Sequence, residues 1–380
     1  MASVAIAVGG VWPERSGTRE DMEAVEKVTL KQGEMKVDFQ QHELTKRYPL
    51  RISRGETTGS VNLFVSVHAG GVTGIGEAAP DATAAAGTAA LCQAEIERLL
   101  GDAREKLSNP HDAWQAARQA GISSCAFAAL DVALWDCMSR QAEMPLYRLL
   151  GLPRRAVPTS VTVGILPEDI ARERTLEILE RTGARYLKIK LGSQNGIDAD
   201  KTMFAAVRES AAAFDVGLRV DANGGWNVSD AKHMMRWLQE RGCDYVEQPL
   251  PVEANDALPE LFAGRALPIF VDESVRVASD VPKLADRVDG VNLKLMKCGG
   301  ITEALRIVAT ARALGLDTMI GCMGESSIAI AAGASIGALF DHIDLDSHLN
   351  LLPDPATGTT IVEGVVTVAD TPGHGATLSC

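Results

Sequence analysis

No stretch of the chain approaches the ~20 consecutive apolar residues that a spanning helix requires. The most apolar run, Ser327 to Phe340, is short and rich in Gly, Ala and Ser, so no membrane span is expected. Basic side chains are in the minority, 37 against 50 acidic, leaving a formal net charge of −13. Affinity for a phosphate backbone comes mainly from Lys and Arg, and nucleic acid is excluded as a partner. Cysteine pairing is also missing. The seven cysteines (Cys92, Cys125, Cys137, Cys243, Cys298, Cys322 and Cys380) are odd in number, scattered and without a C-x-x-C pair, which fits free thiols in a reducing cytoplasm. Met1 to Trp12 lacks the basic start and cleavage site of a secretory signal. What remains is a 380-residue chain, 46% hydrophobic, with material for two or three domains of ~150 residues.

Residues 13 to 34 carry dense mixed charge and little apolar periodicity, and residues 1–34 read as a solvated extension, with Met35 a candidate natural start. Beyond it, Val61 to Val67, the pair Gly70-Gly71 and Val72 to Glu77 read as strands joined by a turn. Apolar residues at helical spacing follow in Ala84 to Leu100 and in Ser123 to Leu150, ended by Gly151 and Pro153. Residues 35–156 are thus expected to form an α+β capping domain, completed by residues 352–380. Residues 157–351 have a different rhythm. Thr159 to Val163 supplies a first strand, and short β-rich runs ending in polar residues then recur at intervals of roughly 25 residues: Tyr186–Lys190, Leu218–Asp221, Tyr245–Glu247, Ile269–Asp272, Val291–Lys294, Thr318–Met323 and Ile343–Asp346. Each interval holds one strand and one helix, so the fold class is α/β, a modified (β/α)8 TIM-type barrel. The rival, a doubly wound open sheet, normally carries a glycine-rich phosphate turn after an early strand, and none is present.

In such a barrel the active site forms at the C-terminal ends of the strands. Asp221, Glu247 and Asp272 end three consecutive strands there. Three adjacent anions repel unless a cation neutralises them, and oxygen-only ligands favour Mg²⁺. The alternative is that each carboxylate caps its following helix. Lys188 and Lys190 precede the triad, two apart on one strand and pointing to one side; Lys294 follows it. An ammonium beside another cation is pushed toward its neutral form, and two such bases facing across one carbon suit a 1,1-proton transfer. Lys297 reads instead as a surface lysine.

The runs Lys188-Ile-Lys190, Val220-Asp-Ala-Asn-Gly-Gly-Trp226, Val246-Glu-Gln-Pro249, Val271-Asp-Glu-Ser274 and Asn292-Leu-Lys-Leu-Met-Lys-Cys-Gly-Gly300 resemble, as an ordered set, the muconate lactonizing enzyme subgroup of the enolase superfamily. The resemblance implies Lys190 and Lys294 as acid/base catalysts, Lys188 as their electrostatic neighbour, and Asp221, Glu247 and Asp272 as ligands of one Mg²⁺ per subunit. Lysine bases with Mg²⁺ stabilising an enediolate are the general pattern of that superfamily. Glu273 is turned away by strand alternation if Asp272 points in. A homo-oligomeric assembly is implied as well.

One scaffold hosts several reactions, and the eighth strand discriminates among them. Asp344 and Asp346, two apart, suit a substrate with a carboxylate at one end and an ammonium at the other. The pair resembles that of dipeptide epimerases of the L-Ala-D/L-Glu type, where it holds the N-terminal ammonium while the C-terminal α-carbon is inverted. Loop hydrogen bonding is the plainer reading of the two aspartates. N-acylamino acid racemase, o-succinylbenzoate synthase and cycloisomerase are the alternatives within the superfamily; a Schiff-base aldolase or a non-catalytic scaffold lies outside it. Met323 and Glu325, after the seventh strand, are expected to line the pocket. Ser347-His348 departs from the usual pattern after the Asp-x-Asp; His348 reads as a substrate contact or, the more frequent outcome, a surface histidine. Arg54, in the loop between the first two strands, resembles an arginine that meets a substrate glutamate, although loop arginines are more often solvated.

Overall fold

The structure, a computed structural model, describes residues 35–81 and 87–379; the extension read over residues 1–34 lies outside them. The chain opens with an antiparallel sheet of β1 (Lys36–Ile52), β2 (Gly55–Ala69) and β3 (Val72–Ala78), in that order. Gly70 and Gly71, both at positive φ, make the β2–β3 turn. Helices α1 (Ala89–Ala103), α2 (Pro110–Gln119) and α3 (Ser124–Gln141) cover the sheet. Contact between α3 and β3 is backbone-close: a Cβ at Gly74 or Gly76 would stand 2.2 or 2.0 Å from the carbonyl of Ala133 or Ala129. Helix α3 is accordingly buried along almost its whole length, from Cys125 to Ser139.

The helical pattern expected to run unbroken from Ser123 to Leu150 is split. Helix α3 stops before Ala142, Glu143 takes φ +53, and Pro145 precedes the one-turn α4 (Leu146–Leu149). Pro145 restricts the residue before it and supplies no N–H, so the periodicity survives the break while the helix does not.

Eight parallel strands follow: β4 (Ser160–Val163), β5 (Tyr186–Lys190), β6 (Gly217–Asp221), β7 (Cys243–Glu247), β8 (Ile269–Val271), β9 (Gly290–Lys294), β10 (Asp317–Gly321) and β11 (His342–Asp344). They are hydrogen-bonded in sequence order, and a parallel bridge from Thr159 to Ile343 joins the last to the first, giving a nearly closed barrel. Outside it lie α5 (Glu168–Thr182), α6 (Ile197–Ala211), α7 (Val228–Gln239), α8 (Leu258–Ala263), α9 (Leu295–Cys298), α10 (Ile301–Ala313) and α11 (Ser327–Ser335). The expected helix between β8 and β9 is a 3-10 turn, Ala278–Lys283, with Pro282 inside it. That proline cannot continue an α-helical ladder. The C-terminal segment returns to the first sheet: Leu146 N donates to Gly373 O (2.8 Å), and His374 bonds Asp136 and the carbonyl of Ile75. Leu63, Val65 and Leu130 of the sheet and helices share one apolar core with Ile189, Val220 and Ile320 of the barrel.

Candidate active site

Parallel register sets the site. Lys190 stands beside Asp221 and Asp221 beside Glu247 on adjacent strands, while Asp272 comes one residue after β8. All three carboxylates are buried, as are Lys188, Lys190 and Lys294. Lys190 Nζ lies 2.6 Å from Asp221 Oδ2, and Lys294 Nζ 2.9 Å from Asp272 Oδ2. Lys188 is fully enclosed, with Glu247 Oε2 and Asp344 Oδ2 each at 2.7 Å and Asp221 Oδ2 at 3.5 Å. The sequence thus located groups that do converge.

Their protonation is not what adjacent lysines alone would dictate. Burial works to neutralise Lys188, yet Asp344, Glu247 and Asp221 outweigh it and hold the ammonium well above its ordinary range. Lys294 is raised in the same way, burial opposing and Asp272 prevailing. In both cases the neighbouring carboxylates outweigh burial and the other cations. Asp272 is driven low by Lys294 and Lys297 against the opposing effect of burial, whereas burial, with Asp221 and Asp272 adding repulsion, pushes Glu247 up to about 7.

Lys297 corrects its sequence reading. Far from lying at the surface, it is buried on α9, where its ammonium donates to the backbone carbonyl of Asp272 at 2.7 Å and pairs with Oδ1 of the same residue. The spacing held a signal: three residues after Lys294, a lysine that enters a helix directly comes back toward the strand it left. Asn292 was missed too. It sits two before Lys294 on β9 and donates to Glu247 Oε1 at 2.7 Å, as period-two alternation allows.

On the eighth strand, Asp344 spends Oδ2 on Lys188 and leaves Oδ1 without a hydrogen-bond partner. Asp346 Oδ2 accepts from Thr162 N at 2.7 Å, and burial together with Asp344 raises its acid to about 6. Glu325 is buried with Oε1 accepting from Met323 N at 2.8 Å, and burial lifts it to about 8. The loop carrying Met323 and Glu325 is pinned from the first sheet: Asn62 Nδ2 donates to Gly324 O (2.8 Å), and Glu77 accepts from Ser326. His348, expected at the surface, is buried, and burial lowers it to about 4. Glu273 pairs with Arg54, whose Nη1 lies 2.7 Å from Glu273 Oε1.

Among the described residues, no three acidic, thiol or imidazole side chains stand grouped as they would around a bound metal ion, and a lysine lies against each of the three carboxylates. The donor chemistry nevertheless fits a hard divalent cation. Three buried oxygen donors sit on neighbouring strand ends, and Glu247 Oε2 meets Lys188 as an ion pair without hydrogen-bond geometry.

Residues 171–379 match the family described as enolase C-terminal domain-like, and residues 35–151 match the mandelate racemase / muconate lactonizing enzyme N-terminal domain. The chain belongs to the enolase superfamily. Within it, the chain is 61% identical to a hydrophobic dipeptide epimerase of Roseobacter litoralis, over 91% of this chain and 99% of that one. Identity to a hydrophobic dipeptide epimerase of a Flavobacteria bacterium is 52%, over 90% and 98%. In structure it resembles the dipeptide epimerase of Enterococcus faecalis V583 complexed with Mg and L-Leu-L-Tyr, with a TM-score of 0.83 at 30% identity, covering 92% of this chain and 99% of the other.

Proposed function

We propose that this enzyme is a Mg²⁺-dependent dipeptide epimerase that inverts the α-carbon of the C-terminal residue by 1,1-proton transfer. The observation that carries the reading is the placement of two buried lysines, Lys190 and Lys294, each on a different carboxylate of the triad and on strands that flank it. Lys190 removes or returns the α-proton on one face of the carbon and Lys294 on the other, so a proton taken by one and replaced by the other inverts the centre. Lys188, buried between Glu247 and Asp344, keeps positive charge beside the reacting carboxylate. Asp221, Glu247 and Asp272 hold one Mg²⁺, which when bound supplies positive charge to the substrate carboxylate as the α-proton leaves.

At the far end, Asp346 and the unpartnered Oδ1 of Asp344 take the substrate ammonium, and Met323 and Glu325 line the space between. The C-terminal residue is apolar. The relatives of highest identity named above act on hydrophobic dipeptides, and Arg54, the cation that would greet an acidic side chain, is engaged with Glu273. Arg54 also supports the competing acidic reading, L-Ala-L-Glu, because a guanidinium binds carboxylates well.

The same proposal divides the chain into a cap of residues 35–156 completed by 352–380 and a barrel of residues 157–351. It places the enzyme in the cytoplasm as a homo-oligomer. The unpaired thiols of Cys92, Cys125, Cys137, Cys243, Cys298 and Cys322 support that compartment. No helix among the described residues is long and apolar enough to cross a membrane.

The test is a screen of dipeptides in heavy water with Mg²⁺, read by mass spectrometry. Solvent deuterium is expected at one α-carbon, fastest for L-Ala-L-Leu and L-Ala-L-Phe. Deuterium in no dipeptide sinks the reading; faster exchange of L-Ala-L-Glu replaces the apolar preference with the acidic one.

A further inference from the structure

The tip of the β1–β2 hairpin, residues 51–56, reaches from the first sheet to the mouth of the barrel and is held there by a small set of polar contacts. Arg51 O accepts from Ile165 N at 2.8 Å. Ser53 Oγ and Arg54 Nη1 both donate to the carbonyl of Asn223, at 2.9 and 3.0 Å, and Arg54 Nη1 also pairs with Glu273 Oε1 at 2.7 Å. Beside these anchors the seat is hollow. A cavity of ≈ 690 Å³ opens between the tip and the loops after β4 and β5, with Ile52, Ser53, Ile165 and Met203 among its walls. The tip packs closely against Gly164 and Gly192, and across the cavity the hydrogen bonds and the ion pair add to that hold.

Both of Arg54's anchors lead to the carboxylates. Asn223 sits at φ +43, an uncommon conformation for a residue with a side chain. From there its N–H donates to Asp221 Oδ1 at 2.8 Å and its Nδ2 to Asp221 Oδ2 at 3.1 Å. Glu273 directly follows Asp272 in the chain, and its Oε1 also accepts from Asn223 Nδ2 at 3.4 Å. Its Oε2 is buried without a hydrogen-bond partner, so Arg54 supplies most of the compensation that this carboxylate receives.

We propose that Arg54 is a positioning residue: it clamps the hairpin tip onto Asn223 and Glu273 and so fixes Asp221, instead of meeting the substrate side chain. The assignment deepens the function proposed above and rests on it for the metal-binding role of Asp221. A single guanidinium shared between a strained carbonyl and a nearly buried carboxylate couples closure of the cap to the order of the metal-binding carboxylates.

The experiment uses the full-length protein and the variants Arg54→Met, Arg54→Lys, Glu273→Gln and Arg54→Met/Glu273→Gln. Two readouts need no turnover: hydrogen exchange of residues 51–56 and Ile165, and Mn²⁺ affinity by titration without substrate. Arg54→Met and Glu273→Gln are each expected to speed exchange at the tip and weaken Mn²⁺ binding by about two- to fivefold, the scale of a partly exposed ion pair. The double variant should be no worse than either single one, and Arg54→Lys should recover part of the loss. In turnover, Arg54→Met should lower kcat/KM for L-Ala-L-Leu and L-Ala-L-Glu by the same factor. Unchanged exchange and Mn²⁺ affinity with selective loss of L-Ala-L-Glu overturns the clamp, and so do additive effects of the two single substitutions. Should the parent bind no Mn²⁺, the functional reading fails, and hydrogen exchange alone still decides whether Arg54 clamps the tip.

Discussion

Lys188 Nζ and Asp344 Oδ2 lie 2.7 Å apart, on β5 and β11, two strands separated around the barrel by β4 alone. The contact ties the ammonium beside the triad to the carboxylate proposed to receive the substrate's own ammonium, so the two ends of the site share one charge. Asp344 and Asp346 therefore cannot be equivalent.

Replacing Asp346 by Asn should weaken kcat/KM for dipeptides by roughly ten- to a hundredfold, the worth of a charge-assisted hydrogen bond at ~1.5 to 3 kcal/mol. Thermal stability should change little by comparison. Asp344→Asn should lose activity and stability together, because it removes one counter-charge from a fully buried lysine. The destabilisation should fall below the roughly 3 to 5 kcal/mol of a fully orphaned buried charge, since Glu247 and Asp221 remain. Denaturant unfolding and steady-state kinetics on both variants check the split; equal stability losses would show that the two aspartates are interchangeable.

Lys190 and Lys294 should be separable by stereochemistry. Each Lys→Ala variant is expected to lose epimerisation while keeping α-proton exchange for one epimer of the dipeptide, and the retained epimer should differ between the two variants. Proton NMR in heavy water, started from each epimer, reads the pattern. Equal exchange of both epimers in both variants would place the bases elsewhere.

Much of this site was legible because a barrel aligns the C-terminal ends of its strands, so a polar residue closing each apolar run marks the same rim. Asp221, Glu247 and Lys294 close their strands, while Asp272 lies one residue beyond β8 and still reaches the rim. What escaped depends on contacts between segments far apart in the chain. The pairing of Arg54 with Glu273 spans the cap and the fifth interval of the barrel, and no local pattern in either segment announces it. Lys297 escaped because a charged residue after a strand ordinarily faces water, and only the immediate entry of the chain into α9 turns it inward. The break at Pro145 was masked by apolar spacing that continues on both sides of it.

Removal of the metal should abolish activity and, through linkage, lower stability. The proposed ligands Asp221, Glu247 and Asp272 come together only in the folded chain, so Mg²⁺ at about 100 times its Kd should add about 2.7 kcal/mol to unfolding. Exhaustive dialysis against chelator should silence turnover and lower Tm, and both should return with Mg²⁺ but not with K⁺. Full activity after such dialysis would remove the metal from the mechanism.

Stability should also carry two opposing pH dependences. His342 stands half-buried between the rings of Tyr245 and Phe270, 5.0 Å from each, and burial, assisted by Arg219, lowers it to about 4. Its folded pKa is below the unfolded value of 6.5, so its contribution is present above 6.5 and is lost as the pH falls toward 4. Asp131 runs the other way. Enclosed beneath Thr302, it is raised by burial from 3.8 to about 7, so its contribution is complete below 3.8 and is lost as the pH rises toward 7. His342→Phe, which keeps a ring in the aromatic cluster, should flatten the loss of Tm between pH 6.5 and 4.5. Asp131→Asn, which can still accept a hydrogen bond from Thr302, should instead make stability, and with it Tm, rise more steeply between pH 5 and 7, the free energy by up to about 1.4 kcal/mol per pH unit for one proton. Thermal scans of the three proteins across pH 4.5 to 7.5 decide both signs, and a parallel shift of all three curves would assign the titrations to other groups.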